Sequence, residues 1–352
     1  MLMTSMFVLQ NILMVFSVSP YEAKTSVSID GVNFRINGEL TYKDYNSKAH
    51  GRLMNVRMVN SVFEDENPKT SPKGFDPEAN ADNFIKSMDQ YKSKGILAFT
   101  INGQGGFPGY EGAINSAFLP DGSLKDKYMA RISRVIESAD KRGMVIILGL
   151  FYQRQDQILK DEDAVKKATA NAAKWVQNKG YKNVMIEIAN EYPHGGFDHK
   201  IIKDPYGEAE LIGIAKATAP ELLVSTSGIG DGLFHQKLCE VADFILIHGN
   251  GCNPDEYENK VELLKKYGKP IVFNEDWCFS DDPRGVSDAV QKVTSAFNAG
   301  ASWGIMNERR NQHYPFIFSI GSPEETGNAK EDFVAYETIA ELIGIKHSTT
   351  NE

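Results

Sequence analysis

The sequence predicts an α/β fold, a (β/α)8 TIM barrel with a short N-terminal β-hairpin, and three observations carry that prediction. Between residues 52 and 306, eight short apolar runs alternate with amphipathic stretches, the rhythm of parallel strands joined by helical crossovers. Most of these runs are apolar throughout instead of alternating, as expected of strands covered by helices on both faces. No GxGxxG follows the first run, which argues against an open, doubly wound sheet.

The elements follow in order. Residues 26–42 read SVSIDGVNFRINGELTY, two alternating strands punctuated by Asp-Gly and Asn-Gly turn dipeptides. The barrel strands are expected at 53–59, 96–101, 144–151, 184–189, 222–227, 244–249, 270–275 and 301–306. Helical patterns lie between them. Residues 82–94 place Phe84, Ile85, Met88 and Tyr91 on one face, with Gly95 as a stop. Those at 124–141 and 164–179 end before Gly143 and Gly180, the usual helix C-terminal signal. Further helices are expected at 208–218, 255–267, 287–299 and 333–343, with Gly268, Gly300 and Gly344 after the last three. Residues 26–352 therefore read as a single barrel domain.

Residues 1–25 read as a leader segment. The run FVLQNILMVFSV has the apolar character of an export signal, but no basic region precedes it, Gln10 and Asn11 interrupt it, and Pro20 occupies the cleavage region. It is too short and too polar for a membrane span. A secreted or periplasmic location is the expectation if this leader acts, and a cytoplasmic one otherwise.

Composition narrows the function classes. With 352 residues, 41% hydrophobic and 24% charged, the chain can bury a large core. A net charge of −9 argues against nucleic-acid and membrane partners, which call for a basic face. Cys239, Cys252 and Cys278 are too few and too scattered for a disulfide framework or a zinc site. Free, packed thiols are expected, with a Cys252–Cys278 pair between neighbouring rim loops as the alternative.

Two segments point to chemistry. MIEIANEY carries Glu191 and PIVFNEDW carries Glu275, each where an apolar run stops at Asn-Glu. A carboxylate at a strand's C-terminal end lies on the rim where barrels of this kind build their active sites. The two occupy the fourth and seventh strands, which face one another across the mouth. Paired carboxylates there are the minimum equipment for cleaving a glycosidic bond, a close pair giving retention and a wider one inversion. Burial is expected to raise the pKa of Glu191, as a general acid requires.

IANEY, IVFNEDW and Trp303 on the eighth strand together resemble the (β/α)8-barrel retaining glycoside hydrolases, closest to the cellulase-like family 5, over residues 26–346. The resemblance implies Glu191 as acid/base and Glu275 as nucleophile. It implies Asn190 as a partner of the sugar 2-hydroxyl, His248 as a substrate contact and Trp303 as the floor of the subsite. The family's arginine near the end of the second strand is replaced by Asn102, with Arg57 on the first strand as the nearest substitute, and both are expected to contact substrate. Arg57 reads equally as a buried partner for a strand carboxylate. His248 is followed by Gly249 and Asn250, and Glu275 by Asp276 and Trp277, departures that suggest a divergent branch.

Trp277, Tyr152 and Tyr192 are further rim aromatics suited to stacking on sugar, with plain packing as the other reading. His194 is placed to tune Glu191. The glycine-rich loop 102–110 lacks the lysine of a phosphate cradle and reads as a rim loop. Arg309 and Arg310 suit either an acidic sugar or an internal salt bridge, and Glu64-Asp65-Glu66 either a cleft wall or a solvated loop. No HExxH, HxH or GxSxG occurs, so no metal, no cofactor and no serine nucleophile is expected. A carbohydrate is the expected partner. The alternative is a barrel that binds carbohydrate without cleaving it.

Overall fold

The computed structural model describes residues 21–106, 112–276, 285–321 and 330–346. Residues 1–20 of the expected leader, the tip of the glycine-rich loop, Trp277 and Cys278 lie outside them. Among the described residues no helix is long and apolar enough to cross a membrane.

The N-terminal segment forms three antiparallel strands, β1 (Val27–Asp30), β2 (Asn33–Ile36) and β3 (Glu39–Leu40), where the sequence suggested two. The extra strand arises because Asn37 and Gly38 both adopt positive φ (53° and 79°), reversing the chain within two residues.

Eight parallel strands follow: β4 (Asn55–Arg57), β5 (Ala98–Asn102), β6 (Val145–Phe151), β7 (Val184–Ala189), β8 (Leu223–Ser225), β9 (Ile245–His248), β10 (Ile271–Glu275) and β11 (Gly304–Ile305). Pairing runs β11-β4-β5-β6-β7-β8, and β9 pairs with β10. Parallel bridges Ser227–Leu246 and Val272–Ser302 join these two sets at both seams, so the sheet closes on itself and has no free edge.

Phe34 of β2 has no exposed surface, meets the Phe244 ring edge-on and shares one buried cluster with Leu53, Ala98, Val145, Met185 and Val272. These residues lie within two positions of the starts of the barrel strands, so the N-terminal sheet covers the lower mouth. Burying one such ring contributes about 1.5–3 kcal/mol. The upper, C-terminal mouth is left for the site.

Helices α1 (Pro77–Ser93), α2 (Asp126–Asp140), α3 (Glu162–Lys179), α4 (Lys200–Lys203), α5 (Pro205–Thr218), α6 (Gln236–Val241), α7 (Tyr257–Lys265), α8 (Gly285–Ala299), α9 (Glu308–Asn311) and α10 (Lys330–Ile343) complete the chain. Helix α1 starts earlier than the apolar spacing indicates. Asp76 caps it, accepting from the Glu78 and Ala79 amides at 2.9 and 3.3 Å, and Pro77 suits the first helical position. The six residues of α6 are too few for a periodic signal. Glu64 reaches Arg131 of α2 at 2.6 Å and Glu66 reaches Lys125 at 2.7 Å, so this acidic run is tied to its neighbours. Cys239 and Cys252 are free, buried thiols.

Candidate active site

Strand β7 delivers Glu191 through an unusual turn. Glu191 has φ of 52°, a left-handed conformation that costs a non-glycine residue on the order of 1–3 kcal/mol and persists only where its surroundings enforce it. Here the Glu191 amide donates to Ser227 Oγ at 2.9 Å, and the Tyr192 amide donates to the Ser227 carbonyl at 3.0 Å. Ser227 Oγ in turn donates to the Ala189 carbonyl at 3.2 Å. Asn190 is held from the other side, its amide donating to the Phe151 carbonyl at 3.0 Å.

Strands β9 and β10 end at His248 and Glu275, and these meet Glu191 at the mouth. His248 Nδ1 lies 3.3 Å from Glu191 Oε1 and 3.7 Å from Glu275 Oε1. The three side chains each offer one atom within 4.8 Å of the others. Asn250 Nδ2 donates to Glu275 Oε1 at 2.7 Å, and Gln153 Nε2 lies 3.5 Å from Glu191 Oε2. Gln153 Oε1 also accepts from Asn190 Nδ2 at 3.0 Å, leaving Asn190 Oδ1 without a protein partner.

Beneath this trio lies a layer of buried charge. Arg57 Nε lies 2.9 Å from Glu275 Oε2, and Arg57 Nη1 lies 3.1 Å from Glu187 Oε2, all three side chains essentially out of solvent. The contact with Glu275 is a charge pair whose N–H is not aligned for a hydrogen bond, whereas Nη1 donates to Glu187. Asn274 Nδ2 donates to Glu187 Oε1 at 3.2 Å. One guanidinium thus serves two carboxylates from two different strands, which makes the buried charges tolerable.

The charges act on one another. Burial pushes the Glu191 carboxyl up, but the hydrogen bond from His248 and the charges of His248, His194 and Arg57 bring it below its ordinary value. Glu275 is raised: burial dominates, and the charge of Glu191 adds to it against the opposing pull of His248 and Arg57. Burial would lower His248, yet the two glutamates outweigh it and hold the imidazole above its ordinary value. The expectation that burial alone would raise Glu191 is therefore corrected, because His248 is hydrogen-bonded to it.

The other expected site residues fall in several places. His194 sits half-buried in the turn after Glu191, with Nδ1 accepting from the Gly196 amide at 2.9 Å. Tyr152 stands beside the carboxylates, with its ring packed on Val59 and Met306 and only 2% exposed. Arg57 has no exposed surface and reaches Glu275 and Glu187 instead of the open cleft. It is the buried partner of a strand carboxylate and a neighbour of the candidate nucleophile at once.

Two expectations are corrected. Asn102 is fully buried in one strand-to-strand row with Gly149 and Glu187, inside the barrel and below the mouth. Gly149 leaves it room, since a Cβ there would fall 2.4 Å from Asn102 Nδ2. Trp303 has no exposed surface, and its indole N–H donates to Asp276 at 2.8 Å. It precedes β11 on the face toward the helices, so no ring face is offered as a subsite floor. Tyr192 belongs to the core, and Arg310 is 7% exposed and donates to the Ser319 carbonyl at 2.7 Å.

Glu187, Gln153, Asn250, Ser227 and Asn274 were not singled out from sequence. Glu187 had a signal, a lone carboxylate within the apolar run VMIEIA. Gln153 and Asn250 had only their positions just past strand ends, and Asn274 lies within β10.

No protein-family model matches the sequence, and no curated protein does. Solved structures do match. The endo-1,4-β-mannanase of Rhizomucor miehei superposes with a TM-score of 0.60 at 12% identity, covering 91% of this chain and 100% of that one. The fold is that of family 5 glycoside hydrolases. A family 5 enzyme of Prevotella bryantii matches with a TM-score of 0.56 at 10% identity, over 83% of this chain and 95% of that one. Cel5A of Thermotoga maritima, solved in mutant form with cellobiose, matches at 0.56 and 16% identity, over 87% and 99%. At identities this low the likeness is one of fold.

Proposed function

We propose that this chain hydrolyses a β-glycosidic bond in an oligo- or polysaccharide with retention of configuration. The observation that carries the reading is the convergence of Glu191 and Glu275, from the ends of β7 and β10, to within 4.8 Å on one buried histidine. Retaining enzymes hold their carboxyl groups about 5–5.5 Å apart, whereas inverting ones leave about 6.5–9.5 Å for a water.

In this reading Glu275 attacks the anomeric carbon while Glu191 protonates the leaving oxygen, and Glu191 then activates water against the glycosyl-enzyme. Arg57 holds negative charge on Glu275 and Asn250 orients it. Asn190 Oδ1, left without a protein partner, accepts from the sugar 2-hydroxyl.

His248 resolves the inverted carboxyl preferences. In this reading the free site carries one proton, held by His248, whose imidazole the two glutamates favour in its charged form. Moving that proton from Nδ1 across the 3.3 Å contact to Glu191 gives the acid form with no change in the total protons bound. His248 is then a proton store for the general acid.

The test is product release from a panel of neutral and acidic β-linked polysaccharides, run with the Glu275→Gln variant alongside. The anomer first released is read by proton NMR. Cleavage by wild type alone, with a β-anomer first, supports the reading. Release of an α-anomer removes the nucleophile role from Glu275. Binding without cleavage, unchanged in the variant, favours a carbohydrate-binding barrel.

A further inference from the structure

Glu275 is followed by a second buried carboxylate that the proposed chemistry does not use. Glu275 reaches Arg57 inside the barrel, whereas Asp276 reaches Lys292 of α8 and Tyr257 of α7 on the helix side. Asp276 has no exposed surface. It accepts from Lys292 Nζ and Trp303 Nε1, each at 2.8 Å, and from the Tyr257 hydroxyl. Its carbonyl accepts from the Met306 amide at 2.9 Å. One side chain thereby joins the end of β10 to α7, α8 and the strand after them.

The same donors also hold the turn after β9. Lys292 Nζ donates to the Gly249 carbonyl at 3.2 Å, the Tyr257 hydroxyl lies 3.5 Å from it, and the Gly249 amide donates to the Glu275 carbonyl at 2.9 Å. Gly249 has no alternative here: a Cβ would fall 2.3 Å from the Tyr257 hydroxyl and 2.5 Å from Asp276 Oδ2. Its two neighbours are His248 and Asn250, which reach Glu191 at 3.3 Å and Glu275 at 2.7 Å.

We infer that Asp276 and Lys292 are positioning residues of the active site, bolting the 248–250 turn to the end of β10 so that His248 and Asn250 meet the two glutamates. The inference rests on the glycosidase reading for its effect on turnover, but the placement of His248 can be read without it.

The experiment uses the double variant Asp276→Asn, Lys292→Met, which leaves no lone buried charge. Kinetics are measured on the substrate that wild type cleaves. His248 imidazole titration is followed by NMR, assigned through loss of its signal in His248→Gln. The groups facing that imidazole are Glu191, Glu275 and Arg57. Expected are a fall in kcat of about a hundredfold, the scale for misplacement by about an ångström, little change in KM, and a displaced His248 midpoint. The single variant Lys292→Arg, which keeps a donor for Asp276, should keep more of the wild-type kcat than Lys292→Met. If the double variant does not fold, Tyr257→Phe removes one donor from the same network and should shift kcat and the titration in the same direction. A folded double variant with wild-type kcat and an unmoved His248 midpoint overturns the inference. If wild type cleaves nothing, the glycosidase reading falls, and the titration still decides whether Asp276 and Lys292 position His248.

Discussion

Arg57 Nε stands 2.9 Å from Glu275 Oε2, and neither side chain has more than a trace of solvent exposure. The guanidinium comes from the first barrel strand and the carboxylate from the seventh. Since Arg57 also binds Glu187, its removal strands two carboxylates in the barrel interior. Arg57→Met should cost about 3–5 kcal/mol, the range for breaking a buried ion pair from one side. Urea unfolding checks this. Adding Glu187→Met should return part of the loss, and a double variant no more stable than the single would mean that the Glu187 pairing carries little energy.

Glu191→Gln and Glu275→Gln should each lower kcat/KM by at least about a thousandfold, within the span of general acid–base effects. Near-normal turnover in either variant takes that glutamate out of the mechanism.

On the proposed mechanism the pH profile of kcat/KM should be bell-shaped, because the trio would act with one proton and with Glu275 ionised. On the acid side a second proton neutralises Glu275, whose raised pKa puts that limb above the ordinary glutamate value of about 4.3. On the alkaline side the last proton leaves. The raised pKa of His248 puts that limb above the ordinary imidazole value of about 6.5. An alkaline limb below that value contradicts the proton store.

Ser227→Ala removes the acceptor for the Glu191 amide and should destabilise by about 1–2 kcal/mol, the cost of a buried unsatisfied donor. The left-handed turn then loosens. A drop in kcat with KM little changed, and partial recovery in Ser227→Thr, is the expected pattern. Equal losses in both variants would point to packing alone.

Glu191, His248 and Glu275 are also close enough to ligate a cation. Arg57 already sets positive charge against this site, so activity after exhaustive chelation should equal that before it. Loss on chelation with recovery on adding zinc would reassign the three as metal ligands.

The barrel was legible in the sequence because each of the eight apolar runs overlaps an observed strand, and because Gly95, Gly143, Gly180, Gly268, Gly300 and Gly344 sit in left-handed positions at helix ends. The two Asn-Glu strand ends were legible for the same reason: a carboxylate that terminates a two-sided apolar strand has only the rim to occupy. What lay beyond reach was the facing of individual side chains. In a strand covered on both sides, apolar residues point inward and outward alike, so nothing local assigns Trp303 to the helix layer or Asn102 to the interior. Barrel closure decided that, setting Arg57 between Glu187 and Glu275, which lie 130 and 218 residues away in the chain. It also placed His248 between Glu191 and Glu275, where pairing reversed the pKa direction that burial alone implied. Local sequence determined where the strands end and what they carry. The closed sheet decided which charges meet, because a buried charge is tolerated only beside partners that the tertiary structure brings to it.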